Sequence, residues 1–358
     1  MRTLDLYIIR KFLGTFFFSI LMLTLIIIIF DLSERVDDFI DKQAPLQAII
    51  FDYYLNFLPF LINNFSALFT FISVVFFTSR LAMNTEIIAI LSSGISFWRL
   101  MRPYLVAASV IAALSMILSA YVIPVSNRSL FAFEQAYLRS PRRTSDINIH
   151  MQLHPGVFVY VERFNAFIET GYQFTLKKIG TQGLTYKLSA DKIVYDSIRS
   201  RWRIENYLIR EIDSIGERLT RGDILDTTFA FNPTDLRIDT DRERVLTTPE
   251  LQNEIDIERI RGSGRVIEYT VEKHSRIAFP IANLILTVIG VAVSARKVRG
   301  GLGFHLGFGL TITFTFVLFM QVARVFGTYG DLPPVVAVWL PNLFFGIMAA
   351  YLIYTAPK

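Results

Sequence analysis

The sequence predicts an α-helical membrane protein with six transmembrane helices plus an inserted extracytoplasmic β-jelly-roll domain. Three observations carry that prediction. Hydrophobic residues fill 53% of the 358 positions and charged residues only 19%, against about 25% charged in a soluble domain. The long uncharged runs fall into two groups of three. Between the groups, residues 124–276 have ordinary polarity and the strand-like pattern of a β-domain.

A hydrocarbon core about 30 Å thick needs roughly 20 apolar residues to cross it as a helix. Such runs lie at 12–30, 53–79, 103–123, 277–295, 302–323 and 333–354. The first is too long for a signal-peptide core and ends in Phe30-Asp31-Leu32-Ser33, which is no small-residue cleavage site, so it is expected to remain as an anchor. The layout divides the chain into 1–123 (spans 1–3, with a cytoplasmic loop at 80–102), 124–264 (the β-domain with a helical end) and 265–358 (spans 4–6).

Charge sets the expected orientation. Arg2, Arg10, Lys11, Arg80, Arg99, Arg102, Arg296, Lys297, Arg299 and Lys358 fall on one side, with Asp5 and Glu86 as the acids. The opposite short loops hold Arg35, Lys42 and Arg324 against Asp31, Glu34, Asp37, Asp38, Asp41, Asp52 and Asp331. The positive-inside rule then puts both termini in the cytoplasm and the insert outside. The insert carries 23 basic and 22 acidic residues, a balance unlike that of a nucleic-acid binder.

Within the insert, 156–161, 173–178, 184–195 and 200–212 are rich in Val, Ile, Tyr and Phe and are separated by Gly, Asn and Asp, which reads as short strands of a sandwich or jelly roll. The polar pair Glu162 and Arg163 closes the first of them. At Thr248-Pro249-Glu250 the pattern turns helical, with Thr248 as cap and Pro249 in the first turn. The edges of such a sheet serve either as a covered, stabilising lid or as a pairing surface for another β-domain.

Several chemistries are excluded. The chain has no cysteine, hence no disulfide, thiolate metal site or cysteine nucleophile. It has no phosphate-binding GxxxxGK[ST] loop, so ATP hydrolysis is not expected of it. No catalytic residue and no metal set stand out. His150 and His154, four apart in an expected strand, share a face and leave a metal pair open; surface histidines are the plainer reading, and His274 and His305 sit at span ends. No acid or base lies deep in a span, against a proton-coupled transporter. Asn56, Asn63, Asn64, Asn283 and Asn342 read as helix–helix hydrogen-bonding groups rather than substrate ligands. Pro59, Pro280 and Pro341 are expected kinks, and Gly303 and Gly307 a close-packing pair.

The loop after span 2 carries Glu86, Ile87, Ile88, Ile90 and Leu91, a short amphipathic helix that Gly94 is placed to end, followed by Trp98 and Arg99. Two readings stand: a helix lying on the lipid surface, or a docking helix for a cytoplasmic partner. Since the chain has no motor of its own, an ATPase is an attractive partner.

These segments resemble the lipopolysaccharide export permeases LptF and LptG of Gram-negative bacteria. The resemblance covers nearly the whole chain. It rests on Leu4, Asp5, Tyr7 and Lys11 before span 1, on Asn84 to Ala89 with Ser93, Gly94, Ser96 and Arg99 in the loop, and on Trp202-Arg203 in the insert. It continues with Glu272, Arg276 and Pro280 entering span 4, and with Leu332-Pro333-Pro334 and Trp339-Leu340-Pro341-Asn342 near the end. The opening leans toward LptG. The resemblance implies an inner-membrane, multi-pass subunit with a periplasmic β-jelly roll. Its implied partners are a cytoplasmic ABC ATPase dimer, a second LptF/LptG-type subunit, a periplasmic β-jelly-roll bridge protein and lipopolysaccharide. ATP and magnesium would be cofactors of the ATPase and none of this chain. The family's coupling helix falls on Glu86, Ile87, Ile90, Leu91, Gly94 and Arg99. Some members place lysines at the outer end of span 1 to meet lipid phosphates; here that rim is mostly acidic, and Arg35, Lys42 and Arg324 are the candidate headgroup contacts. The rival reading is a membrane scaffold or sensor whose β-domain binds a periplasmic partner.

Overall fold

A computed structural model describes residues 3–138, 145–165, 167–180, 183–197, 199–213, 216–236, 242–260, 262–295 and 301–355. Arg2, Arg296, Lys297, Arg299 and Lys358, which contributed to the expected orientation, lie outside these, as does the side chain of His305. Six described helices are long and apolar enough to cross a membrane: Thr3–Asp41, Leu46–Met83, Phe97–Leu138, Arg265–Ser294, Gly307–Tyr329 and Pro334–Tyr354, spans 1 to 6. A six-stranded antiparallel sheet lies between the third and the fourth. At 1.5 Å per residue span 3 is roughly 60 Å long, about twice a hydrocarbon core.

The chain divides into two compact units. One comprises Met1–Arg139, Glu243–Leu251 and Ile267–Lys358; the other comprises Ser140–Arg242 and Gln252–Val266.

In the helical unit, spans 2 and 4 are shared by two apolar cores. Ile8, Phe12 and Phe16 of span 1 pack with Phe77 and Leu81 of span 2, Leu100 and Tyr104 of span 3 and Val291 of span 4. Phe71 and Val75 of span 2 pack with Leu286 and Ile289 of span 4, Phe316 of span 5 and Phe345 of span 6. Glycine sets the approach distances: a Cβ at Gly309 would lie 2.5 Å from the Phe71 ring, and one at Gly290 2.9 Å from Val74 Cγ1. Gly303 and Gly307 have no neighbour within 4 Å of a Cβ. The close-packing glycines of this chain are therefore others than the expected pair, because span 5 meets span 2 further along its length.

The intramembrane amides act as expected at three positions. Asn63 donates to Ser119 Oγ (3.0 Å) and accepts from Ser115 Oγ (2.6 Å), joining spans 2 and 3. Asn283 accepts from Thr70 Oγ1 (2.9 Å), and Asn342 donates to the Ala278 carbonyl (2.7 Å). Asn56 instead donates to Phe51 and Asp52 carbonyls of its own helix, and Asn64 is exposed.

The sheet unit is an up-and-down meander. Its strands are β1 Ser145–His154, β2 Val157–Asn165, β3 Thr170–Gly180, β4 Gly183–Asp196, β5 Arg201–Asp213 and β6 Gly216–Thr227, paired in that order. Strand β2 runs straight through Glu162 and Arg163. The ladder skips one rung at the same level in successive strands, at Glu162, Gln173, Asp191, Asn206 and Asp223. Gln173 and Asn206 there take left-handed φ values of 55° and 53°. Inward residues are two apart on either side of this crease but three apart across it: Val161 and Phe164, Ala190 and Ile193. The crease thus lets two polar neighbours face outward together while the interior stays apolar.

That interior holds Val159, Val161, Phe164, Phe174, Leu188, Ile193, Trp202 and Ile204, closed by Phe231 and Leu236 from the segment after β6. Trp202 Nε1 donates to the Phe231 carbonyl (3.1 Å), and Phe229 stacks on Phe231 at 5.2 Å and 9°. The histidine pair does not survive as a pair. A bulge between Gln152 and His154 sets His154 opposite Val157, while His150 lies against Tyr160, and both histidines are exposed. Among the described residues no group of three or more His, Asp or Glu side chains could hold a metal.

Phe231→Ala is expected to destabilise the sheet unit by about 3–5 kcal/mol, the usual cost of emptying a buried aromatic site. Trp202 fluorescence during urea unfolding, in a chain carrying Trp98→Phe and Trp339→Phe, measures it.

Candidate functional site

The turn after span 2 is built rigidly. Thr85 takes a left-handed backbone (φ 61°) just before the loop helix Glu86–Ser92, an outlier for a β-branched residue. Gly94, at φ 84°, ends the helix, and its N–H donates to the Leu91 carbonyl (3.1 Å). Ile87 is fully buried under the helix, and Ile90 and Leu91 pack at the edge of the same core. Ile88 and Trp98 stand 53% and 60% exposed beside it. Glu86 accepts from Asn84 Nδ2 (3.2 Å).

Arg99 has a structural duty. Its guanidinium donates to Asp5 Oδ2 (2.7 Å), which pins the loop to the start of span 1. Ser96 caps the start of span 3 by accepting from the Arg99 N–H (3.3 Å). The structure therefore gathers Glu86, Ile87, Ile90, Leu91, Gly94 and Arg99 on one short turn, anchored from below by Ile87 and from the side by Asp5. Asp5 was not singled out as a partner by sequence; it lies 94 positions from Arg99, and no local pattern marks the pair.

The other candidate cations lie elsewhere. Arg35 donates to Asp31 (2.9 Å) and lies 5.4 Å from the Tyr53 ring centre, and the Tyr53 hydroxyl donates to the same carboxylate. Lys42 is exposed just beyond span 1. Arg324 donates to Glu272 of span 4. Arg35 and Arg324 thus each engage a carboxylate of the chain itself.

Glu272 belongs to a further cluster. Its other oxygen accepts from Arg276 Nε (3.1 Å). Arg276 reaches the segment at 243–248, which Asn127 and Arg128 of span 3 hold from the other side. Here the helix Thr248–Ile260 starts one residue earlier than its sequence pattern suggests. Thr247 is the cap, and Glu250 reaches back to accept from the Thr247 N–H and hydroxyl (both 2.8 Å), a capping box. The sequence held Glu272 and Arg276 only as part of the motif entering span 4; their i,i+4 spacing is the signal that could have paired them.

The fold defines a multi-pass membrane protein with an inserted β-domain. A family model, "Lipopolysaccharide export system permease LptF/LptG", matches residues 6–355. The chain belongs to this family of lipopolysaccharide export permeases; the match does not separate LptF from LptG. No curated protein matches it.

The Thr247 main-chain N–H first, then its hydroxyl and Arg128, hold the Glu250 carboxyl below the usual carboxylate range. Its folded pKa lies under the unfolded value of about 4.3, so the contact contributes stability above that pH and loses it as pH falls through the folded value. The protection factor of the Thr247 amide, its exchange rate set against the intrinsic rate at the same pH, is expected to fall as pH drops through the folded Glu250 value, and Glu250→Gln is expected to remove that change.

Proposed function

We propose that this chain is the permease subunit of an ABC-type exporter that extracts lipopolysaccharide from the inner membrane and passes it toward a periplasmic β-jelly-roll bridge. A second LptF/LptG-type subunit and a cytoplasmic ATPase dimer complete it, and ATP and magnesium bind in the ATPase. Both termini face the cytoplasm and the β-domain faces the periplasm. Exposed Arg10, Lys11, Arg80 and Arg102 at one end, against exposed Glu34, Asp37, Asp38 and Asp41 at the other, support that orientation.

The observation that carries the coupling role is the loop helix itself. A turn held by two left-handed residues, a buried Ile87 and the Asp5–Arg99 pair transmits force to span 1, span 2 and span 3 together. Exposed Ile88 and Trp98 suit an apolar pocket on a partner, with Glu86 at the rim. Lipid extraction needs such a drive: each acyl CH₂ removed from the bilayer costs about 0.8 kcal/mol, tens of kcal/mol for several chains. An apolar cavity offsets most of this, and nucleotide-driven closure supplies the remainder.

Purification from its native membrane is expected to bring an ABC-type ATPase with the chain. Glu86→Lys is expected to lower ATP-dependent lipopolysaccharide release by about tenfold or more, as charge reversal at an interface does, with the helical unit still folded. Release at the original rate, in a complex of unchanged composition, removes the role assigned to Glu86.

A further inference from the structure

Four consecutive main-chain carbonyls are gripped by side chains of two spans. Arg276 Nη2 donates to Glu243 O (2.8 Å), Asn127 Nδ2 to Arg244 O (2.9 Å), Arg128 Nε to Val245 O (2.9 Å) and Arg276 Nη1 to Leu246 O (2.9 Å). Arg276 Nη1 also reaches Thr248 Oγ1 (3.3 Å), and Nε reaches Glu272 (3.1 Å), so all three of its nitrogens are engaged. The side chain is 5% exposed. A guanidinium this buried costs free energy unless it is paired and hydrogen-bonded, and an apolar residue would serve a membrane helix better. The gripped segment is where the chain re-enters the helical unit after the inserted domain. Because the acceptors are main-chain atoms, the grip fixes the path of the segment whatever its side chains.

We propose that Arg276 is a positioning residue for export. It locks the returning segment onto spans 3 and 4, and Glu272, shared between Arg276 and Arg324, ties that lock to the spacing of spans 4 and 5. Arg324 is the more exposed partner, at 42% against 5% for Arg276, so separation of the two spans breaks the Arg324 contact first and leaves the lock with half its carboxylate's load. The export half of this proposal rests on the permease function proposed above; the lock itself does not.

The test uses the full chain in lipid nanodiscs and amide exchange at Thr247 and Leu251, whose N–H groups are bonded to Glu250 and to the Thr247 carbonyl. Arg276→Gln and Arg276→Lys are both expected to speed exchange there by about tenfold or more, since one ammonium does not replace a fork that spans two carbonyls. If Arg276→Gln unfolds the chain, Asn127→Ala and Arg128→Gln report the same loosening separately. Unchanged exchange at both amides in the folded variants overturns the lock. In the assembled transporter, exchange at these amides is expected to differ with and without ATP, and Arg324→Gln to abolish the difference; no nucleotide dependence in the parent protein overturns the tie through Glu272. Arg276→Lys is expected to lower lipid release about tenfold while ATP hydrolysis stays within about twofold, and equal losses of both overturn the positioning role. A chain that never binds an ATPase defeats the permease function and leaves the exchange result standing.

Discussion

Hydrocarbon offers no partner to a polar group, and a charge carried into it costs several kcal/mol unless another part of the protein answers it. That constraint shapes the amides and the charges of the helical unit. In the middle of the bundle only neutral groups are used, and Asn63, Asn283 and Asn342 spend their hydrogen bonds on tying one span to another. Charges are kept to the ends, and several of them there come in partnerships: Asp5 with Arg99, Asp31 with Arg35, Glu272 with Arg276 and Arg324. Asp5–Arg99 joins span 1 to span 3, and Glu272–Arg324 joins span 4 to span 5.

The two ends are consequently built differently. Around the loop helix the charges are few and the anchoring is mostly apolar, through Ile87 and the core shared by spans 1, 2, 3 and 4. At the start of span 4 the anchoring is by hydrogen bonds from arginine to main chain. A packed apolar contact resists separation but allows small sliding; a forked guanidinium on fixed carbonyls resists both. The loop helix suits the passing of a push, and the arginine cluster suits the holding of a path.

The sequence made the helical architecture plain, because six uncharged runs of this length would leave a water-soluble chain with far more apolar surface than one core can bury. It also marked a short helix through Ile87, Ile88, Ile90 and Leu91, which the structure has as Glu86–Ser92. Long-range partnerships were hidden: Asp5 and Arg99 are far apart in sequence, and Arg276 stood only as part of the motif entering span 4. In the β-domain, strands were sought as runs rich in Val, Ile, Tyr and Phe bounded by Gly, Asn and Asp, and the crease sets adjacent polar residues inside such a run. Glu162 and Arg163 therefore looked like the end of a strand that continues to Asn165. Strand β6 escaped notice for a different reason: it is an edge strand, exposed along most of its length, and carries little apolar pattern.

The same crease governs how the sheet can fail. In a regular meander, a one-residue slip of one strand costs it the match between its apolar side chains and the core, and a second slip restores the match. Here each strand changes facing at one level, and Gln173 and Asn206 occupy that level with backbone angles few residues accept. A strand that slips by two carries its change of facing out of line with its neighbours, so apolar residues on one side of the crease turn outward even though the parity is restored. The aligned row works as a keyway: it admits one alignment of the strands and makes every other costly, in a domain whose open edges would otherwise tolerate several.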